Sequence, residues 1–491
     1  MGVALTVKKD VTSLKMLIGG SWVDSSDGKT IDVLNSATQE KIDTVPSATA
    51  TDVQKAIENA QDAKKVWGET PQYERSRILQ NCAKLIESNV ETLAVSLSEE
   101  MGKIIREARP EIAVSAQIFQ GYAERANHLY GETMSDFQRG SEKDLLLTRR
   151  QPLGIVACIS PFNYPVELCS HKVASALAMG NAVIVKPASD NPLTLLKVFK
   201  LFDEAGFPDG VLQVLTGSGS TVGSLLAQSD AVNAISLTGS TEVGISVASA
   251  GAVTVKRVFL ELGGNDPFVV LEDADMDMAV EAAVAGRVQN AGQTCCAPKR
   301  FIVQNSVREK FTEGVLRRLK KVRTGSPLDE ATDLGSLINV KAAETVEKQV
   351  EETVAQGAKL LAGGKAYDQS YFQPTVLADV TPEMDIALDM EVFGPVIPII
   401  GCDTIDDAIT IANATCYGLQ AGVMTQDIKK AFYVASRLDC GSVVINGSGN
   451  YRNVDQPFGG FKKSGLGREG INCTLEEMSQ EKTYILKSLF A

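Results

Sequence analysis

Apolar positions recur along this chain at two spacings, and the changes between them mark its organisation. Short alternating segments at Leu17-Ile18, Trp22-Val23 and Ile31-Asp32-Val33, separated by glycine and serine, predict a hairpin-like start. From residue 51 the period is helical. Thr51-Asp-Val-Gln54 has the form of a capping box, and Val53, Ala56, Ile57, Ala60 and Ala63 form one stripe ending at Trp67. Two further helical stretches are expected at about 74–101 and 104–129. Residues 130–150 break the pattern with Gly131, Gly140, a polar run and Asp144-Leu-Leu-Leu-Thr-Arg-Arg150, which predicts a protruding hairpin.

From Gly154 strand and helix alternate. Strands are predicted at Ile155–Ile159, Ala182–Val185, Val211–Leu215, Ala234–Leu237, Arg257–Leu260 and Phe268–Leu271, with helices near 166–179, 192–205, 220–229 and 241–250 separating the first five. Such alternation implies a doubly wound parallel sheet with ligands at the strand carboxyl ends. After residue 295 a second set follows, with strands near 301–304, 396–400 and 442–446 and helices near 306–323, 341–356 and 427–438. A second α/β domain is therefore expected. Thr483-Tyr-Ile-Leu486 predicts a last strand, and no internal repeat or low-complexity linker is present.

The bulk properties narrow the function. With 491 residues, 44 % hydrophobic and 22 % charged, the chain can bury a large core and divide into two or three domains. A net charge of -13 argues against nucleic acid or an anionic membrane as partner, so an anionic ligand would need a local basic pocket. Nine cysteines, an odd number with no Cys-x-x-Cys, suit neither a disulfide framework nor a zinc site, and a reducing cytoplasm is expected. With two histidines, His128 and His171, covalent catalysis falls to cysteine, and no metal is expected. No apolar run has membrane-spanning length, and Lys8, Lys9 and Asp10 interrupt any signal-peptide pattern. Met1-Gly2-Val-Ala-Leu-Thr6 matches an N-myristoylation pattern, but one so short that we discount it.

Candidate chemistry concentrates at the two ends of residues 261–298. Glu261, between Leu260 and Leu262 and followed by two glycines, is placed to hold a proton near neutral pH. Cys295 follows a Gly292-Gln-Thr break, where backbone N–H groups can lower a thiol pKa. Together they suit a base and a nucleophile. Glu261-Leu-Gly-Gly precedes Gly292-Gln-Thr-Cys295 by 34 residues (295 minus 261), and in this ordered set the chain resembles the aldehyde dehydrogenase superfamily of NAD(P)-dependent, non-acylating enzymes.

The resemblance implies two Rossmann-like α/β domains and a small β oligomerisation arm. A cofactor domain would take residues 1–126 and 147–263, a catalytic domain 264–465, and the arm 127–146 and 466–491, pairing subunits into a dimer or tetramer. It implies thiohemiacetal and thioester formation on Cys295, an oxyanion amide at Asn163 in Pro161-Phe-Asn-Tyr-Pro165, hydrolysis by Glu261, and Lys172 near the proton exit. Thr238-Gly239-Ser240 would be the cofactor loop, with Ser240 at the phosphates, Lys186 on the adenosine ribose, Glu391 on the nicotinamide ribose and Phe393 beside the ring. Ile159, Ser160, Pro161, Phe162, Gly219 and Gly263 would line the same cofactor. Gly217-Ser-Gly-Ser-Thr-Val-Gly223 is one residue off the dinucleotide fingerprint. Ser189 stands where many NAD-preferring members carry a glutamate that repels a 2′-phosphate, so NADP is expected to be accepted beside NAD.

For the substrate, Arg109, His171 and Arg452 occupy regions from which such enzymes clamp anionic aldehydes, and a small carboxylated, sulfonated or phosphorylated aldehyde is expected. Two alternatives stay open: neutral aliphatic aldehydes, with Arg109 and Arg452 in salt bridges and His171 packed, and a non-catalytic cofactor-binding protein on the same fold. A zinc or short-chain alcohol dehydrogenase is excluded by the missing ligands and Tyr-x-x-x-Lys.

Overall fold

The computed structural model describes residues 14–134 and 138–490, so the Met1–Thr6 pattern lies outside the described residues. Five-residue segments such as Ile155–Ile159 and Ala182–Lys186, in which Lys186 is the one charged residue, are buried on both faces, as parallel strands require. They form the centre of an eight-stranded sheet. Its order is Ser21–Val23, Met16–Ile18, Leu212–Val214, Ala182–Lys186, Ile155–Ile159, Ala234–Thr238, Arg257–Glu261 and Gly465–Leu466. The five strands from Leu212–Val214 to Arg257–Glu261 are parallel. Chain order runs outward from Ile155–Ile159 in one direction and then reverses to Ala234–Thr238 on its other side. A doubly wound sheet opens a ligand crevice at that switch point, beyond Ile159 and Thr238.

The second sheet has seven strands, ordered Lys359–Ala362, Thr375–Val380, Val396–Cys402, Arg300–Gln304, Pro267–Val270, Gln420–Met424 and Ser442–Ile445, with all but the first parallel. Each sheet has its own apolar core, one centred on residues such as Trp67, Phe119 and Val183, the other on Phe268, Phe301 and Val376. A three-stranded antiparallel sheet joins Ser479–Leu486, Leu145–Pro152 and Thr133–Met134.

Four local expectations change. The capping box of helix Ala50–Glu69 is Thr49 with Asp52, not Thr51 with Gln54. The stretch 74–101 is two helices, Gln72–Glu87 and Val90–Met101, parted at Ser88-Asn89. The strand near 268–271 joins the second sheet, between Arg300–Gln304 and Gln420–Met424, rather than following the first five. The glycine stretch at 217–223 enters a π-helical turn, Gly219–Gly223, ahead of the short helix Ser224–Gln228. Among the described residues no helix is long and apolar enough to cross a membrane.

Candidate active site

The helix Met276–Val288 ends where Gln289 leaves helical geometry, and the turn that follows places Cys295. Asn290 and Ala291 have left-handed backbones (φ 50° and 53°), a conformation costing about 1–3 kcal/mol per residue and sustained only by surrounding contacts. Asn290 N donates to Glu107 Oε2 at 2.8 Å, and its Nδ2 to the carbonyls of Asn163 and Gln293 at 3.0 and 3.1 Å. Gln293 Oε1 accepts from Ile338 N at 2.9 Å. At Gly292 (φ +75°) a Cβ would stand 2.3 Å from the Gly394 carbonyl, so glycine is required by conformation and by space.

Cys295 is partly exposed, while Cys296 is buried. The Cys296 thiol beside it lowers the Cys295 thiol pKa; burial opposes this, and Lys299 and Arg452 assist. The sequence pointed to backbone N–H groups as the cause; in the structure the neighbouring thiol comes first, and Cys295 packs against the cluster of Cys296, Leu419 and Phe458. Cys296 itself is pushed well above its ordinary value by Cys295 and by burial. Glu261 closes the strand Arg257–Glu261, and its main-chain oxygen accepts from Gly239 N at 3.1 Å, tying it to the glycine loop. Burial holds its carboxyl well above the usual range, and Glu469 adds to the effect. Its Oε2 has no hydrogen-bond partner among the described residues.

One cavity of about 860 Å³ lies between the sheets at the switch point, and Cys295 and Asn163 form part of its wall. The wall also takes in Ile159, Ser160, Pro161, Phe162, Lys186, Gly219, Thr238, Gly239, Ser240, Gly263, Glu391 and Phe393. Ser189 does not line it; its hydroxyl donates to the Gly217 carbonyl at 3.0 Å and accepts from Lys186 Nζ at 3.5 Å. Nor does Glu261, whose neighbours Leu262 and Gly263 do. Its carboxyl instead feels the charges of Glu469, Lys172, Arg452 and Cys295. Burial brings Lys186 down to about 8, and its ammonium donates to the Pro187 carbonyl at 2.8 Å. The Ser240 hydroxyl accepts from Val243 N at 3.4 Å and caps helix Thr241–Val253, whose N-terminal N–H groups lie at the cavity wall. Glu391 accepts from Gly264 N at 3.0 Å and lies 3.3 Å from the Lys299 ammonium. Phe393 meets Phe162 edge-on with centroids 6.1 Å apart. An elongated slot with a helix N-terminus, a buried lysine and a carboxylate along its wall fits a dinucleotide.

The three basic residues expected to clamp a substrate do not converge. Arg109 lies at the surface, bonded to Glu91 at 2.8 Å and Glu330 at 2.7 Å, because helix Ile105–Arg125 turns that face outward. His171 is fully buried; its Nδ1 meets the Tyr122 hydroxyl at 3.1 Å, and burial lowers its pKa to about 3, so it is neutral. Arg452 alone stands near the thiol. It donates to Glu469 at 2.6 Å and stacks 4.4 Å from the centroid of Phe458, which packs with Cys296 and Cys295. Glu469 also takes Lys172 at 2.9 Å; burial would raise its pKa, but Lys172 and Arg452 hold it well below the usual range.

Sequence reasoning missed Glu469, Lys299 and the wall contributed by helix Val340–Ala355 through Ala342, Thr345, Val346 and Gln349. Glu469, between Arg468 and Gly470, lacks the flanking leucines that marked Glu261, and only the glycine after it sets it apart. Lys299 precedes a wholly buried strand with the apolar centre Phe301, Ile302 and Val303, as Lys186 ends a buried strand. The helix carries only an ordinary amphipathic pattern, which gives no hint of a ligand.

The chain is 39 % identical over 465 residues to the glutarate-semialdehyde dehydrogenase of Pseudomonas putida, covering 95 % of this chain and 96 % of that protein. It is 40 % identical over 475 residues to the lactaldehyde dehydrogenase of Methanocaldococcus jannaschii, covering 96 % and 100 %. A solved structure described as an E. coli NADP dependent enzyme superimposes with a TM-score of 0.94 at 37 % identity, over 97 % of this chain and 98 % of that one. The model of the aldehyde dehydrogenase family matches residues 22–484, and with a cysteine at the cavity wall and this coverage the chain belongs to that family.

Proposed function

We propose that the protein oxidises a small anionic aldehyde to its carboxylic acid, with NADP or NAD as hydride acceptor. The observation that carries this reading is the shared wall: the Cys295 thiol and the Asn163 amide meet the same cavity as Lys186 and Glu391. Cys295, with its pKa lowered, attacks the aldehyde carbon as thiolate, and the oxygen becomes an oxyanion. Asn163 Nδ2 has one N–H on the Gln293 carbonyl at 3.0 Å and offers the other to that oxyanion, together with the Cys295 backbone N–H. Bound in the cavity, the nicotinamide dinucleotide supplies the acceptor for the hydride leaving the aldehyde carbon. A thioester remains on Cys295. Glu261 takes a proton from the attacking water, a task suited to a carboxylate whose basicity burial has raised. Lys172 and Glu469, ion-paired beside it, conduct that proton outward.

Ser189 beside Lys186 carries no carboxylate to repel a 2′-phosphate, which supports use of NADP, and the 37 % identical solved structure is described as NADP dependent. Arg452, near the thiol, has guanidinium N–H groups beyond the one on Glu469, a set that supports an anionic aldehyde. A neutral aldehyde is the second reading, favoured by the surface position of Arg109 and the neutrality of His171. We also assign residues 1–126 with 147–263 to cofactor binding and 264–465 to catalysis. The segments 127–146 and 466–491 then form an arm that pairs subunits, an assignment supported by the exposed Met134, Ile485 and Leu486 on its strands. A reducing cytoplasm suits a chain with free cysteines that depends on one remaining a thiol.

The test is a panel of anionic and neutral aldehydes with each cofactor, followed by absorbance of the reduced cofactor. Turnover that Cys295→Ala abolishes and Cys296→Ala retains is expected. Turnover in Cys295→Ala would overturn the mechanism.

A further inference from the structure

The mechanism above uses the side chain of Asn163, yet the most heavily anchored group nearby is the Asn163 backbone. Its carbonyl accepts from Lys103 Nζ at 2.8 Å and from Asn290 Nδ2 at 3.0 Å. Lys103 is 1 % exposed and forms an ion pair with Glu111, 2 % exposed. Its ammonium also lies 3.5 Å from the ring centroid of Tyr164, the next residue. The Glu111 carboxylate continues the chain of contacts: Oε1 accepts from Val166 N at 3.0 Å and from Glu167 N at 3.4 Å. Those are first-turn donors of helix Pro165–Ala178, whose N-cap residue Tyr164 makes no side-chain cap bond. A carboxylate from another helix thus caps this one, and a lysine from the loop before that second helix pins the residue ahead of it.

A buried ion pair is weak evidence of stabilisation, because desolvating both charges offsets their attraction, and apolar residues of similar volume often serve stability better. What this pair does supply is position. Between them Lys103 and Glu111 contact residues 163, 164, 166 and 167, the whole turn that carries the Asn163 amide to the cavity wall. We infer that Lys103 and Glu111 are positioning residues that hold the Asn163 amide where the oxygen of the Cys295 adduct develops charge. The inference rests on the proposed oxyanion role of Asn163. It adds that the donor's placement depends on an ion pair that touches neither substrate nor cofactor.

The experiment compares the wild-type protein with Lys103→Met/Glu111→Leu, which removes both charges and leaves neither buried alone, and with Asn163→Ala and the triple variant. Three readouts separate position from fold: the single-turnover rate of hydride transfer to NADP, the dissociation constant for NADP, and the rate of Cys295 alkylation by iodoacetamide. Alkylation is a displacement that develops no oxyanion, so it reports the thiol without the Asn163 amide. Removing one oxyanion donor lowers turnover on the order of 10²- to 10³-fold. A fall of on the order of 10-fold or more in the paired variant is therefore expected, with NADP binding and alkylation within about threefold of wild type. In the Asn163→Ala background the pair should cost little more, since the group it positions is gone. Lys103→Gln/Glu111→Gln, which restores a donor toward the Asn163 carbonyl without charge, should recover part of the rate. If Asn163→Ala is slow but the paired variant transfers hydride at the wild-type rate, the positioning role is overturned while the Asn163 reading stands. A wild-type rate in Asn163→Ala would overturn both. Equal losses in all three readouts would assign the pair to the fold alone and overturn the inference.

Discussion

Replacing Arg452 by Met should separate anionic from neutral aldehydes. The methionine keeps an apolar stem over Phe458, where the guanidinium stacks at 4.4 Å, so packing is largely retained. No charge is stranded, because Glu469 keeps Lys172 at 2.9 Å. The substitution removes one cation from a group in which Lys172 and Arg452 stand against the carboxyl groups of Glu469, Glu167 and Glu261. Arg452 has further N–H groups beyond the one on Glu469, and a hydrogen bond from such a group to a substrate carboxylate contributes about 1.5–3 kcal/mol. At about 1.4 kcal/mol per decade, that is roughly 10- to 150-fold in kcat/KM. Arg452 also helps to lower the pKa of the Cys295 thiol, so both substrate classes should slow somewhat, and the informative quantity is the ratio. With 4-oxobutanoate against butanal, followed by absorbance of the reduced cofactor, the preference for the anion should fall by that factor. Arg109→Met, at the surface between Glu91 and Glu330, should leave the ratio unchanged. A ratio in Arg452→Met within twofold of wild type would refute the assignment of the positive pole to this residue.

Other outcomes follow from the same geometry. Glu261→Gln should release a burst of reduced cofactor and then stall at the thioester, measurable by stopped flow, because acylation does not need this base. The same substitution bears on stability. The folded Glu261 pKa is raised, so the native protein holds a proton that the unfolded chain has lost; native stability therefore declines as pH rises above the unfolded value, and Gln removes that decline. A thermal midpoint for Glu261→Gln that gains on wild type from pH 6 to pH 9 is the expected scan. Ser189→Glu should lower kcat/KM for NADP relative to NAD by on the order of 10²-fold, through like-charge repulsion of a 2′-phosphate beside Lys186. Gly292→Ala forces a side chain onto the Gly394 carbonyl in a left-handed backbone and should cost about 2 kcal/mol or more, read as a lower thermal midpoint together with lost turnover.

The parallel strands that were legible in the sequence are those whose residues are apolar on both faces, such as Ile155–Ile159 and Pro267–Val270. Gln420–Met424 was not, because it opens with a polar side chain and contains Gly422. Its burial is a tertiary fact: Gln420 bonds the carbonyls of Gly449 and Tyr451 from across the sheet. The capping box was misplaced for a related reason. Thr49 and Thr51 each have a suitable acceptor three residues on, and the choice falls to Thr49 because Asp52 also accepts from Ser26 N at 3.2 Å, a contact between distant segments. At the site, Cys295, Glu261, Lys186 and Glu391 could be read from motifs with fixed chemistry. The supposed clamp could not, since a sequence does not say that Arg109 faces outward or that His171 is sealed beneath Tyr122.

Lys299 joins two parts of the site that motifs treat separately. Its single ammonium bonds the main-chain oxygen of Cys295 and lies 3.3 Å from Glu391, whose other oxygen contact is Gly264 N. The Cys295 peptide is thus tied to the Glu391 carboxylate through one side chain, and loss of Lys299 would free both at once.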